Sequence, residues 1–276
     1  MLAGEVSPRI SLAGLAGVGD DDVALGDTAL LLAALQHPAA RLDSYRGHFD
    51  TLAETALGLG GLDAAAHAAA LGEAMGRHHG YRCDDRDDDD LGNANLIDVI
   101  DQRRGIPEAL AVLAIEAARR AGWRAEPLAF PLHVLVRLED EDGRRVILDP
   151  AAAGAVLDAP ALRALLKAAA GIDAELEPCH YAPLSNRDML LRLHNAAKLR
   201  LLRAGRVDRA LATVEAMLLF APDRDMLWRE AGMMHLRLDN LRAAIAALEQ
   251  FAARTANRQA RTRTLALLAE IKARMN

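Results

Sequence analysis

Few side chains in this sequence are equipped for chemistry. His133 can exchange a proton near neutral pH, and Asp149 can set the tautomer of such a ring. The thiols are Cys83 and Cys179. Cys83 opens the run Cys83-Asp84-Asp85-Arg86-Asp87-Asp88-Asp89-Asp90, whose carboxylates oppose a thiolate. Cys179 has His180 beside it, but adjacent residues rarely align for proton transfer. The aspartate run invites reading as a calcium loop. It lacks the central glycine and terminal glutamate of an EF-hand, so a solvated loop is expected. A metal at His133 and Asp149 would need a third ligand, for which Glu108 is the nearest candidate; no metal and no cofactor are expected. His78-His79, His194 and His235 lack an evident ligand partner.

The surrounding pattern predicts what holds these residues. Pro107 suits a first helical turn, Glu108 favours the positive end of the dipole, and Arg119 and Arg120 favour the negative end. Leu110, Leu113, Ala114 and Ala117 form that helix's apolar face, and Gly122 closes it. Three extended segments follow, at 124–130, 132–138 and 145–148, with a turn over Glu139-Asp140-Glu141-Asp142-Gly143. His133 is therefore expected on a strand and Asp149 at the end of the next, in a small antiparallel sheet packed on a helix. Upstream, Leu42, Tyr45, Phe49, Leu52 and Ala56 mark a helix face ended by Gly58, Gly60 and Gly61, and a further helix is expected over 62–78. Residues 1–25 are expected to form a flexible N-terminal arm, and residues 158–170 a helix.

Beyond the punctuation of Pro178 and Pro183 lies an internal repeat. A shift of 34 residues brings Leu202 onto Leu236, Ala210 onto Ala244, Leu211 onto Ile245 and Val214 onto Leu248. That period is the one of helix-turn-helix tetratricopeptide repeats. Gly205 and Asp239 fall at the turns, and Trp228, Gly232, Ala244 and Phe251 suit the alternation of large and small packing positions. The expected organisation is a first domain over 26–177 and helical repeats over 184–276. The two repeats span about 190–222 and 224–256, and a capping helix covers 259–275. The fold class is α+β and mainly helical.

The order helix start, histidine, aspartate resembles the transglutaminase-like, papain-related fold. The wider segment is similar to a bacterial branch of that superfamily with C-terminal tetratricopeptide repeats, named for a regulator of invasion genes. The resemblance rests on Gly80-Tyr81-Arg82, Asn93-Ala94-Asn95-Leu96-Ile97-Asp98-Val99-Ile100 and Arg103-Arg104-Gly105-Ile106-Pro107-Glu108-Ala109-Leu110. It continues through Phe130-Pro131-Leu132-His133 and Leu148-Asp149-Pro150, then Leu191-Arg192-Leu193-His194-Asn195 and Trp228-Arg229-Glu230-Ala231-Gly232. It covers about 28–256. In active members a cysteine opens the helix, a histidine moves protons and an aspartate orients it. Here Ile106 and Pro107 stand at the helix start, and neither can attack a carbonyl. The branch usually has Pro-Gly-His-Phe where this chain has Pro131-Leu132-His133-Val134. It usually has Asp-Pro-Phe and a glycine pair where this chain has Asp149-Pro150-Ala151-Ala152-Ala153-Gly154.

The resemblance implies a transglutaminase-like domain whose His133 and Asp149 are a structural relic, a ligand pocket or a catalytic pair. Asn95, Arg104, Pro107, Glu108 and Trp228 are candidate pocket or interaction positions. The leading expectation is a non-catalytic protein that binds a protein or peptide through its repeats. The alternative is a cysteine-independent hydrolase or transferase on peptide-like amides or esters, with His133 as general base. Composition narrows the field further. The chain has 276 residues, 52% hydrophobic and 26% charged, which excludes simple disorder. Its formal net charge of -6 argues against nucleic acid as the main partner. Regulation, if it occurs, is expected to run through proteins, since no basic helix suits a DNA groove. With neither a signal peptide nor an apolar run of about 18 residues evident, a cytoplasmic protein without a membrane partner is expected.

Overall fold

The structure is a computed structural model that describes residues 7–84 and 91–275. Two compact units divide at Leu193 and His194: one runs from Asp20 to Leu193, the other joins residues up to Gly19 to the C-terminal part. The described part of the expected arm is not loose. Pro8 sits in the first turn of helix α1 (Pro8–Gly14), and α1 seats a fully buried Leu12.

In the Asp20–Leu193 unit, α2 (Leu25–Ala34) and α3 (Leu42–Leu59) come first. Phe49, Leu52 and Ala56 are buried at the expected helical spacing. Tyr45 remains at the rim, its hydroxyl donating to Asp101 at 3.1 Å. Helix α4 (Ala64–Glu73) starts where Asp63 accepts the Ala66 N–H at 2.8 Å, and a π-helical turn (Ala74–His78) extends it. A short parallel pair follows, β1 (Arg82–Cys83) with β2 (Arg104–Gly105), with Cys83 opposite Gly105. Between the two lies α5 (Leu96–Gln102).

Helix α6 (Pro107–Arg120) begins and ends where the sequence predicts. Its burial is wider than one face. Residues 109–115 are all buried, as are Ala117 and Ala118, because α2 and α3 pack on one side and the sheet on the other. The Ala-rich sequence lets neighbours approach from all directions. The sheet is antiparallel, in the order β3 (Arg124–Leu128), β4 (Leu135–Glu139), β5 (Arg145–Asp149), β6 (Ala155–Leu157). Val136 pairs with Leu148, and Leu128 with Leu135. One expectation is corrected here, and one element is added. β4 starts at Leu135, so His133 lies on the preceding turn and not on a strand. Pro131 lacks an N–H for a ladder, and Leu132 adopts a left-handed φ of 57°. The short fourth strand β6 has no counterpart in the sequence reading.

Helix α7 (Ala159–Ala170) is capped by Asp158. The segment over Pro178 and Pro183 is stitched to β3: Ala129 N–H donates to the Ala182 carbonyl at 2.9 Å and Leu184 N–H to the Pro127 carbonyl at 2.8 Å. The first turns of α8 (Asn186–Arg203) then return to the start of the unit. Asn186 donates to the Val23 carbonyl at 2.9 Å, and Arg187 pairs with Asp20 at 2.6 Å. The unit therefore continues to Leu193, past the expected end at 177.

The second unit carries the rest of α8, α9 (Val207–Phe220), α10 (Asp225–Arg237), α11 (Leu241–Arg254) and α12 (Arg258–Met275). Gly205 (φ 71°) and Asp239 (φ 60°), 34 residues apart, are both left-handed at the turns between paired helices. A Cβ on Gly232 would lie 2.6 Å from Leu248 Cγ, which explains the small residue there. Leu268 and Ile271 of α12 close the apolar cluster around Leu248. Among the described residues no helix is long and apolar enough to cross a membrane.

Candidate functional site

A cavity of about 570 Å³ opens where three elements of the first unit meet. The first turn of α6 brings Pro107 and Glu108, the turn before β4 brings Leu132, His133 and Val134, and the end of β5 brings Asp149 with Ala151 and Ala152. Cys83 and Asp84 complete the wall from the end of β1. A smaller apolar cavity of about 220 Å³ adjoins it and shares Cys83 and Ala151. The structure thus gathers His133, Asp149, Pro107 and Glu108, and adds Cys83.

Gathering is not pairing. Among the described residues no hydrogen bond or ion pair joins His133 to Asp149. Asp149 Oδ1 accepts the Ala151 N–H at 2.8 Å, which caps the short turn Pro150–Ala152. The His133 ring instead lies edge-on to Phe130, centroids 6.4 Å apart. Asp149 therefore does not set the imidazole tautomer in this arrangement. Among the described residues, no group of three His, Cys, Asp or Glu side chains is placed to hold a metal ion. Residues 85–90 of the expected acidic loop lie outside the described residues. Asp84 is described, and its carboxylate pairs with Arg104.

The other candidates sit elsewhere. Arg104 is exposed and reaches the cavity only through Asp84. Asn95 is buried, accepts the Ile97 N–H at 3.0 Å and donates to the Ala33 carbonyl at 3.3 Å, so it caps α5. Trp228 belongs to the repeat unit; its indole N–H donates to the Pro222 carbonyl at 2.9 Å, and Arg254 stacks on its ring at 5.3 Å. Cys179 is exposed, outside the residues that line the cavity, with Glu177 at 3.7 Å.

Three residues that the resemblance motifs contain, but that were not among the candidate site positions, build the site. Buried Asn93 donates to the Asp84 carbonyl at 3.0 Å, and its own carbonyl accepts the Ile106 N–H at 2.9 Å. It ties the end of β1 to the start of α6. Arg192 of α8 donates to the Phe130 carbonyl at 3.1 Å and the His133 carbonyl at 2.5 Å, holding the turn that carries the imidazole. Burial pulls its guanidinium below the ordinary arginine range, and the Glu108 charge opposes that shift. Arg103, left-handed at φ 58°, donates to Tyr81 Oη at 2.5 Å and His48 Nε2 at 2.6 Å. Tyr81 precedes β1 and Arg103 precedes β2, so this cluster clamps the starts of both strands and places Cys83.

The clamp makes a pH prediction. Burial, then the Arg103 charge, then His79 hold His48 at about 4, below its usual 6.5. Folded protein keeps the ring neutral, while unfolded chain takes a proton below about 6.5. Stability from this group is therefore present above pH 6.5 and declines as pH falls towards 4. The loss is about 1–2 kcal/mol after solvent screening of a part-exposed ring. NMR titration should give His48 a midpoint near 4, and Arg103→Gln should raise it. A midpoint above 6 in the native chain would refute the clamp's electrostatics.

A helix start, a histidine and a carboxylate lining one cleft, followed by paired helices of 34-residue period, fit a transglutaminase-like domain with tetratricopeptide repeats. Residues 31–195 match the transglutaminase-like superfamily, and residues 197–269 match a tetratricopeptide repeat. The chain belongs to the transglutaminase-like superfamily, in the family of the UPF0162 proteins. It is 30% identical over 240 residues to a UPF0162 protein of Xylella fastidiosa strain 9a5c, covering 81% of each chain. A UPF0162 protein of strain Temecula1 is 29% identical over 253 residues, 86% of each. The protein SirB1 of Salmonella typhimurium is 26% identical over 162 residues, 58% of this chain and 60% of that one.

Proposed function

We propose that this chain is a non-catalytic interaction or regulatory protein, a transglutaminase-like pseudo-enzyme domain joined to repeats that hold a protein or peptide partner. The observation that carries this reading is the start of α6. Ile106 is buried and Pro107 is a ring without a nucleophile, at the helix end where the dipole would stabilise a thiolate. The absence of a hydrogen bond between His133 and Asp149 among the described residues supports it, because a base without its orienting partner loses the triad logic. Any regulation by this protein runs through such a partner.

One observation favours a second reading. Cys83, His133, Glu108 and Asp149 face a single cavity, which keeps hydrolysis or transfer on peptide-like amides or esters in view, with His133 as general base. The test uses full-length chains, because residues 186–193 complete the first unit. Panels of ester and amide substrates should give no turnover that His133→Ala or Cys83→Ser removes. A rate abolished by either change overturns the pseudo-enzyme reading. Partners captured by the native chain should be kept by His133→Ala and lost by Arg229→Glu with Met233→Glu; the reverse pattern removes the repeats from the mechanism.

A further inference from the structure

The repeat segment differs in charge from the rest of the chain. Residues 194–276 carry 15 Lys and Arg against 8 Asp and Glu, net +7, whereas residues 1–193 carry 18 against 31, net −13. Part of that positive charge forms a pattern. In α10, Met226, Arg229, Met233 and Arg237 follow at spacings of three and four, which places them on one side of the helix, and all four are exposed. The 34-residue period carries the pattern to the neighbouring first helices. Asn195, Arg229 and Arg263 occupy equivalent positions, and so do Leu199, Met233 and Leu267. Leu199 is 43% exposed and Met233 47%, whereas Leu267 packs against the Leu248 cluster, so the exposed apolar side chains of the row lie on α8 and α10 and α12 adds Arg263.

The arginines of this row are uncommitted. Some cations of the unit are engaged: Lys198 pairs with Glu230 at 2.7 Å, Lys272 with Glu249 at 2.7 Å, and Arg254 stacks on Trp228. Among the described residues, Arg206, Arg209 and Arg242 at the starts of the second helices are as unpaired as the row, but no matching row of exposed apolar side chains accompanies them. Arg229, Arg237 and Arg263 make no ion pair or hydrogen bond among the described residues. A guanidinium fork takes a carboxylate through two parallel bonds, and methionine adapts to varied apolar surfaces. A nucleic-acid backbone would leave the apolar row unmatched. The row carries no exposed aromatic ring for base stacking, and the Trp228 N–H is already used.

We infer that the first-helix face of the repeats, centred on Arg229, Met233, Arg237 and Arg263, binds an acidic peptide segment of a partner protein, with apolar residues set between its carboxylates. This rests on the interaction reading above and specifies the partner's chemistry. The test is fluorescence anisotropy with the full-length chain and three labelled probes: a twelve-residue peptide of Asp and Leu, the same peptide with Lys for Asp, and a twelve-nucleotide single-stranded DNA. The Asp/Leu peptide should bind best, and its binding should weaken as salt rises. Arg229→Gln, Arg237→Gln and Arg263→Gln together should weaken it about tenfold, and Met233→Gln alone about fivefold. Arg206→Gln, Arg209→Gln and Arg242→Gln, which remove equal charge from the start of each second helix, should change it less than about twofold. Equal weakening by both triples would show diffuse charge and overturn the proposal. So would stronger binding of the Lys/Leu peptide or of the DNA. Each of these failures leaves the substrate panels unaffected, so the two readings fail separately.

Discussion

Arg192→Met is expected to destabilise the Asp20–Leu193 unit by about 2–4 kcal/mol, with a fall in melting temperature of roughly 5–15 °C. Its guanidinium is the partner of two carbonyls, those of Phe130 and His133. Methionine fills much of the volume but donates nothing. Each carbonyl left unpaired costs about 1–3 kcal/mol when water cannot replace the donor. Buried Phe130 and Val134 anchor the ends of the turn, but its middle is strained, because Leu132 adopts a left-handed φ of 57° that a leucine visits at a cost of about 1–2 kcal/mol. Lysine should rescue less than half of the loss, since a single ammonium cannot reproduce the fork. The His133 ring signals should also shift in NMR spectra. An unchanged melting temperature together with unshifted His133 signals would show that Arg192 does not brace the turn.

This turn also shows where a sequence can be read and where it cannot. The start of α6 was legible because Pro107 and Glu108 act locally on their own helix end. The repeat turns were legible because Gly205 and Asp239 recur at a fixed period. Asp149 was expected beside His133, and both do face one cavity, yet the lack of a bond between them was hidden. It depends on Pro131 and Leu132 delaying the start of β4 to Leu135 and on Asp149 capping its own turn. Leu132 and Ala153 are left-handed, at 57° and 53°, a conformation that favours glycine. Arg192, Asn93 and Arg103 stand in recognisable motifs, but what they hold could not be read there, because their partners lie from 9 to 62 residues away. A lone arginine between two leucines looks the same on a surface as it does beneath a turn.

Gly72→Val is expected to destabilise the same unit by about 2–3 kcal/mol and to disturb the cavity from behind. A Cβ at Gly72 would stand 2.6 Å from the Ala153 carbonyl oxygen and 3.3 Å from Gly154 Cα. Gly154 meets Gly72 in the reverse direction, at 2.7 Å from its own added Cβ to Gly72 Cα. Both obstacles are backbone, so no side-chain rotation relieves them, and α4 and the 149–154 turn must part. That turn carries Asp149, whose carbonyl accepts the Gly154 N–H at 3.0 Å and whose carboxylate caps Ala151. The strain therefore passes from a helix packing contact into the acidic wall of the cavity. Gly76→Ala, where an added Cβ meets only Ala153 Cβ at 4.0 Å, is the control and should gain or lose less than about 1 kcal/mol. Equal melting temperatures for Gly72→Val and Gly76→Ala would mean that the helix and the turn part without cost. In that case the close approach of the two glycines would not be what holds Asp149 in place.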